Sequence, residues 1–278
     1  MIIVHGGVTA AKGFLANGVK AGIKKSGKKD LALIYSEVPA VAAASFTTNR
    51  FKASPVKVSM RNVRNANHQA IIVNSGNANC ANGKRGDRDA MEMTELTAAG
   101  LGLAGKEVLV ASTGIIGRPL PIDNIRLNMV KLIGGLSDKA GVLFAETIMT
   151  TDTVKKEFAV KLKLGDSVIT IGGACKGVGM IHPVMRVERH ATMLCFITTD
   201  AAISKKILAS ALEESITDSF NMVSVDGDMS TNDSCFVLAN GLAGNKRITS
   251  KASPDYKKFV QGLTLMASEL AKMLARDG

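Results

Sequence analysis

The sequence predicts an α/β protein, an α+β layering of sheets covered by helices, and three patterns carry that expectation. Short apolar runs of strand length are followed by Gly, Asn or Ser turns. Between them lie stretches with apolar residues at steps of three and four, the spacing of a half-buried helix. Neither an internal repeat nor a low-complexity linker interrupts the alternation, which favours mixed layers over a bundle or a sandwich of strands alone.

In chain order, Leu31–Tyr35, Val41–Phe46, Ala70–Val73 and Val108–Ala111 are predicted strands. Asp87–Leu103 is rich in Ala, Met, Glu and Leu and predicts a helix, with the Asn82-Gly83 turn ahead of it. Pro121 suits the first turn of a second helix carrying Ile122, Ile125, Met129 and Leu132. Ala140–Met149 predicts a third. Alternation over Phe158–Leu164, the tight turn Leu164-Gly-Asp-Ser167 and Val168–Ile171 predict a hairpin that leads into a Gly172-Gly173 loop. An apolar run after Thr192 predicts another strand. Ile203, Ile207, Ala211 and Ile216 predict a helix, and Met222–Val225 and Ser234–Leu238 predict strands around a polar loop. The last helix has the strongest signals: Ser253 as cap, Pro254 in the first turn, and Phe259, Leu263, Met266, Leu270 and Met273 on one face.

The 278 residues suffice for one large domain or two smaller ones with a substantial core. Hydrophobic residues at 46% and charged residues at 21% are those of a globular protein. Apolar runs fall well short of the roughly 20 residues of a membrane helix, so no membrane is expected. The N-terminus lacks the features of a signal peptide, and a cytoplasmic location is expected. Cys80, Cys175, Cys195 and Cys235 stand far apart, without metal-ligand spacing, and are expected to be reduced; no metal is expected. The net charge of +11 is scattered apart from the cluster Lys24-Lys25-Ser-Gly-Lys28-Lys29, and aromatic residues are only 4%. Base-stacking platforms are therefore not expected, and no nucleic-acid partner. An anionic small substrate or phosphate-bearing cosubstrate fits the charge at least as well.

The stretch Lys176-Gly-Val-Gly-Met-Ile-His-Pro183, continuing to Ala191-Thr192 and its apolar run, invites a chemical reading. Were Thr192 released as a new N-terminus, its own α-amine, with a reference pKa of about 8, would serve as base for its hydroxyl. On pattern alone, a glycine-rich loop before a buried strand is the better-supported reading. Ala111-Ser-Thr-Gly-Ile-Ile-Gly117 follows a strand and has the small residues of an oxyanion hole, or of an ordinary turn. Asn74–Gly83 holds four asparagines that form turns or present amides to a ligand. Thr150-Thr-Asp-Thr153 reads as a helix end or a cap. Asp226–Asp233 opens like a calcium loop but lacks its glycine and closing glutamate.

Taken in order, Asn74–Asn79, Ser112–Gly117, Met149–Thr153, Lys176–Pro183, Ala191–Leu194 and Ser224–Asp233 resemble the ornithine acetyltransferase family, the ArgJ-type glutamate N-acetyltransferases of arginine biosynthesis. The likeness covers nearly the whole chain. It implies an N-terminal-nucleophile-like sandwich of the ArgJ/DmpA type. It also implies self-cleavage between Ala191 and Thr192 into an α-chain region, 1–191, and the first part of a β-chain region, 192–278. Thr192 would then carry an acetyl group from N-acetylornithine to glutamate by ping-pong kinetics. Thr113 and Gly114 match the family's oxyanion hole, and Thr153, Lys176 and Thr192 its substrate-binding positions. No cofactor is implied, although some members also take acetyl-CoA as acetyl donor. The implied assembly is a heterotetramer of two α and two β chains.

Two departures bear on activity. The family's His-Pro-Asn-Met-Ala-Thr is here His182-Pro-Val-Met-Arg-Val-Glu-Arg-His-Ala191-Thr192, with added charge before the scissile bond. The chain also ends at Gly278, ahead of the family's Gly-Glu-Gly-Ala-Thr-Lys segment, so a C-terminally truncated member is expected. Two other readings stand beside the acetyltransferase. One is a related self-cleaving amide or peptide hydrolase, and the other a catalytically silent basic domain.

Overall fold

In a computed structural model, residues 1–181 and 193–278 are described; the Ala191–Thr192 junction lies outside them. The strands are β1 (Ile2–Val4), β2 (Phe14–Val19), β3 (Leu31–Phe46), β4 (His68–Asn77), β5 (Val108–Ile115), β6 (Lys156–Leu164), β7 (Ser167–Lys176), β8 (Leu194–Thr199) and β9 (Ser234–Ala239). The helices are α1 (Ser54–Asn62), α2 (Gly83–Leu101), α3 (Ile122–Gly134), α4 (Gly141–Ile148), α5 (Lys205–Thr217) and α6 (Pro254–Asp277).

The strands run in the order β1-β6-β7-β8-β9-β3-β4-β5, with β2 also on β3. One strand joins two faces. The first half of β3, Leu31–Tyr35, pairs with β2 and β4, whereas Val41–Phe46 pairs with β9. A register shift separates the halves between Tyr35 and Ala40, around Pro39. Proline lacks the N–H that an unbroken ladder needs, so it belongs at such an irregularity. The two predicted strands at 31–35 and 41–46 are thus one strand that changes sheets.

Alternation of side chains then builds four layers. On one outer face Leu162, Ile171, Cys195, Ile197 and Val237 pack beneath α5 and α6. On the other, Leu31, Leu33, Ile72, Val108 and Val110 pack beneath α2 and α3. Between the sheets lie Ala32, Ile34, Ile71, Leu109, Leu194, Phe196, Phe236 and Leu238. Phe196 is central there. Its ring stacks on Phe236 at 5.6 Å and meets Phe144 edge-on at 5.2 Å, offset and T-shaped geometries that aromatic quadrupoles favour.

Gly172 and Gly173, predicted as a loop, lie inside β7. A Cβ at Gly172 would come within 2.1 Å of the Gly7 carbonyl oxygen, so the glycine admits another backbone across the strand. Met222–Val225 forms no strand. A single turn of 3-10 helix, Phe220–Met222, precedes it, and the Val225 N–H donates to the Ile181 carbonyl at 2.7 Å. Three elements, β1, β2 and α1, have no counterpart in the sequence prediction. The predicted cap of α6 is present, with the Ser253 hydroxyl accepting from the Asp255 N–H at 3.2 Å. All four cysteines are free and buried.

Because the Phe196 ring fills the inter-sheet layer, Phe196→Ala leaves a cavity that neighbouring strands cannot collapse into. The expected loss is about 3–5 kcal/mol, read as a lower urea midpoint with an unchanged slope.

Candidate functional site

A cleft of about 660 Å³ opens between the sheets. Its walls come from the ends of β4, β5 and β7, the 23–26 loop, Thr150-Thr151, the glycine-rich turn at Gly179-Met180, and Ser230 with Asn232. Pairing explains why these segments converge. Strands β4 and β5 are parallel and end together, with Asn74 opposite Ser112 and Gly76 opposite Gly114. At the end of β7, Lys176 pairs with Leu194 at the start of β8, which in turn pairs with Ser234 at the start of β9.

Asn232 clamps the two sheets at this mouth. Its side-chain amide donates to the carbonyls of Ala78 at 2.7 Å and Ser112 at 2.8 Å. Gly114 lies at φ +132, where a Cβ would fall 2.3 Å from the carbonyl carbon of Gly76. No other residue fits between β4 and β5 there. The Asn74–Gly83 amides mostly serve the fold. Asn77 donates to the carbonyls of Arg118 and Pro119, Asn79 to Gly86, and Asn82 to Arg118.

Lys176 enters the cleft floor, 5% exposed, and its Nζ donates to the Thr113 hydroxyl oxygen at 3.2 Å. Behind it stands Asp152. One carboxylate oxygen accepts from the Gly177 N–H at 2.6 Å and Lys156 Nζ at 2.8 Å. The other accepts from the Thr150 N–H at 2.9 Å and lies 4.0 Å from Lys176 Nζ. Burial pushes the Asp152 carboxyl upward, but Lys176, Lys156 and the two N–H donors outweigh it, and the group stays below the usual carboxylate range. For Lys176 burial wins over the attraction of Asp152, and its amine is lowered from the ordinary lysine value. Lys156, fully buried, is held charged by Asp152 and Asp277 against the opposing effect of burial.

The glycine-rich turn is held from the opposite side. Asp226 accepts from the N–H groups of Met180 and Ile181, the latter at 2.9 Å, and Met180 sits in the left-handed region at φ 59. Non-glycine residues at such φ are unfavourable unless their surroundings hold them there. The Asp226–Asp233 loop therefore closes the cleft. Among the described residues, no group of three or more His, Cys, Asp or Glu stands where it could hold a metal ion.

Of the residues singled out by sequence, Thr113, Gly114 and Lys176 meet in the cleft. Thr153 is exposed and outside the lining; its N–H and hydroxyl donate to the Asp277 carboxylate at the end of α6. Ala191 and Thr192 fall outside the described residues. Sequence reasoning had no role for Asp152, although it sits inside the Thr150–Thr153 motif. Its spacing, four residues ahead of Lys156, was the available signal. It had none either for Lys24, which stood out only as part of a basic cluster.

The four-layer arrangement defines the fold class: two facing sheets covered on their outer sides by helices. Its likeness extends to the L-aminopeptidase D-Ala-esterase/amidase of Ochrobactrum anthropi, a variant of the Ntn hydrolase fold, at TM-score 0.57. That pair covers 99% of this chain and 88% of that one at 11% identity, a likeness of fold alone. The ArgJ family matches residues 15–278, and the chain belongs to it. It is 50% identical to the arginine biosynthesis bifunctional protein ArgJ of Dehalococcoides mccartyi, over all of this chain and 67% of that protein. The solved ornithine acetyltransferase of Mycobacterium tuberculosis, complexed with ornithine, is similar at TM-score 0.63 and 39% identity. The match spans 66% of this chain and 99% of that one. This chain thus spans about two thirds of the length of the curated relative it matches.

Asp152→Asn leaves Lys156 and Lys176 with less compensation inside the protein, and a loss of about 3–5 kcal/mol is expected at pH 7. The native carboxyl has a lowered pKa, so its contribution is present above the unfolded value of about 3.9 and lost as pH falls through the folded one. Urea titrations at pH 7 and below pH 4 should therefore show a shallower acid fall in the variant than in the native chain.

Proposed function

We propose that this chain is the acetyl-transferring core of an ArgJ enzyme, moving an acetyl group from N-acetylornithine to glutamate through an acetyl ester on Thr192. The observation that carries this reading is the Lys176–Thr113 contact at the start of β8. Thr192 lies two peptide units before Leu194, and Leu194 pairs with Lys176.

Cleavage before Thr192 would free an α-amine that takes the hydroxyl proton as the oxygen attacks the acetyl carbonyl. Negative charge then develops on the carbonyl oxygen. Lys176 already donates to the Thr113 oxygen, which leaves the Thr113 hydroxyl proton available to that oxyanion. The lysine polarises the hydroxyl and compensates the developing charge at one remove. Ornithine departs with the proton held on the Thr192 amine. Glutamate enters, its amine attacks the ester, and N-acetylglutamate leaves Thr192 restored. A positively charged floor suits substrates bearing carboxylates. Amino-terminal base and hydroxyl nucleophile complete this chemistry without a resident cofactor, and acetyl-CoA enters only as an alternative acetyl donor. Cytoplasmic location and pairing of two α with two β chains belong to the same reading, which rests there on family likeness.

Intact mass with N-terminal sequencing of each species tests maturation directly. The expected pair has 191 and 278 − 191 = 87 residues, the shorter beginning at Thr192. A single uncut chain of 29.2 kDa would remove the base from the mechanism and overturn the proposal for this chain. In the matured protein, Thr113→Val should lower kcat for acetyl transfer by about 100-fold with little change in KM, as loss of one oxyanion donor does. Turnover of N-acetylornithine without glutamate would instead favour a hydrolase.

A further inference from the structure

The 20–30 loop is basic, and it places one lysine differently from its neighbours. Asp30 is fully buried and organises the turn: its carboxylate accepts from the N–H groups of Ala21 at 2.6 Å, Ile23 at 2.6 Å and Lys24 at 2.8 Å. The Lys24 backbone nitrogen thereby lies 3.3 Å from where a Cβ on Gly76 would stand, at the end of β4. The Lys24 side chain runs along the cleft wall, half-buried, whereas Lys25 and Lys28 are exposed.

At its tip, Nζ donates to the carbonyls of Lys29 at 2.7 Å and Thr147 at 3.0 Å. No third acceptor meets it among the described residues. The two carbonyls fix the amine beside the cleft wall, with one position on the nitrogen, a third N–H in the ammonium or the lone pair in the neutral amine, not committed to them. Burial lowers the amine to about 8 from the ordinary 10.5. The charged groups facing it oppose one another: Asp30 and Asp152 favour the ammonium, Lys176 and Lys28 disfavour it.

We propose that Lys24 is an acyl-acceptor site within the cleft, modified on Nζ by small activated acyl esters or thioesters. The Nζ lone pair attacks the acyl carbon, a C–N bond forms, and the C–O or C–S bond breaks. The leaving alkoxide or thiolate carries off the proton released from Nζ, so the products are an amide and an alcohol or thiol. Acylation removes the charge of Lys24 and adds bulk to the cleft wall. This site does not depend on Thr192 or on maturation.

The full chain, native and as Thr192→Ala, is treated with 4-nitrophenyl acetate between pH 6 and 11, and each lysine is followed by peptide mass spectrometry. An amine of pKa about 8 has roughly a hundredfold more neutral form at pH 8 than an ordinary solvated lysine. Part of that gain is offset by lower basicity. Lys24 should therefore be acetylated about tenfold faster than Lys25 or Lys28, with a midpoint near pH 8, in both proteins. Lys24→Arg should abolish the fast phase, and Lys25→Arg should leave it. Labelling of Lys24 no faster than Lys25, or rising only above pH 10, would overturn the proposal. A fast phase present in the native chain but lost in Thr192→Ala would overturn it too, since acylation would then require transfer from Thr192.

Discussion

Everything near the cleft depends on β3 belonging to both sheets. Its first half is laddered to β4, its second to β9, and the irregularity around Pro39 turns one sheet face toward the other. A sheet buried on one side only would expose an apolar face; folding the strand array over itself buries both inner faces against each other. The mouth of this fold is where the parallel pairs β4–β5 and β8–β9 bring their cleft-side ends together. Asn232 links the β4 and β5 ends from the β9 side, so the cleft is a consequence of sheet closure rather than of a separate loop.

Charge inside that mouth is arranged in two tiers. Asp152 and Lys156 form a buried pair that is hydrogen-bonded on almost every side, the condition under which ions are tolerated away from water. Lys176 stands in front of them with a weaker hold on Asp152 and a direct bond to Thr113. The rear pair thus sets the field in which the front lysine and its hydroxyl partner meet a substrate. Thr153, from the same motif as Asp152, fastens the end of α6 through Asp277.

Much of this was legible because it is local. The β6–β7 hairpin, α3, α4 and α6 announce themselves by period and by turn and cap residues, and these are short-range requirements of backbone geometry. The three cleft residues Thr113, Gly114 and Lys176 were legible through ordered motifs, not through any one pattern. By contrast α1 was missed because Val56, Val58 and Met60 alternate along a short segment, and only packing against β5 and α2 resolves the ambiguity. Gly172-Gly173 suggested a loop, since pairs of glycines usually mark turns, yet here each admits a close neighbour across a strand.

The sequence by itself determined the class of layers, most helices, the ArgJ kinship and the residues whose chemistry is suited to acyl transfer. What only the tertiary structure decided is which charges are buried and whom they face. Lys24 and Lys25 are adjacent in sequence and both border the cleft, but Lys24 is half-buried with two carbonyl acceptors and Lys25 is exposed. Asp152 and Asp226 are both acidic residues in polar loops, but only the first is enclosed between two lysines. Desolvation and Coulomb attraction depend on distance through the folded protein, and residue order along the chain carries no direct record of it.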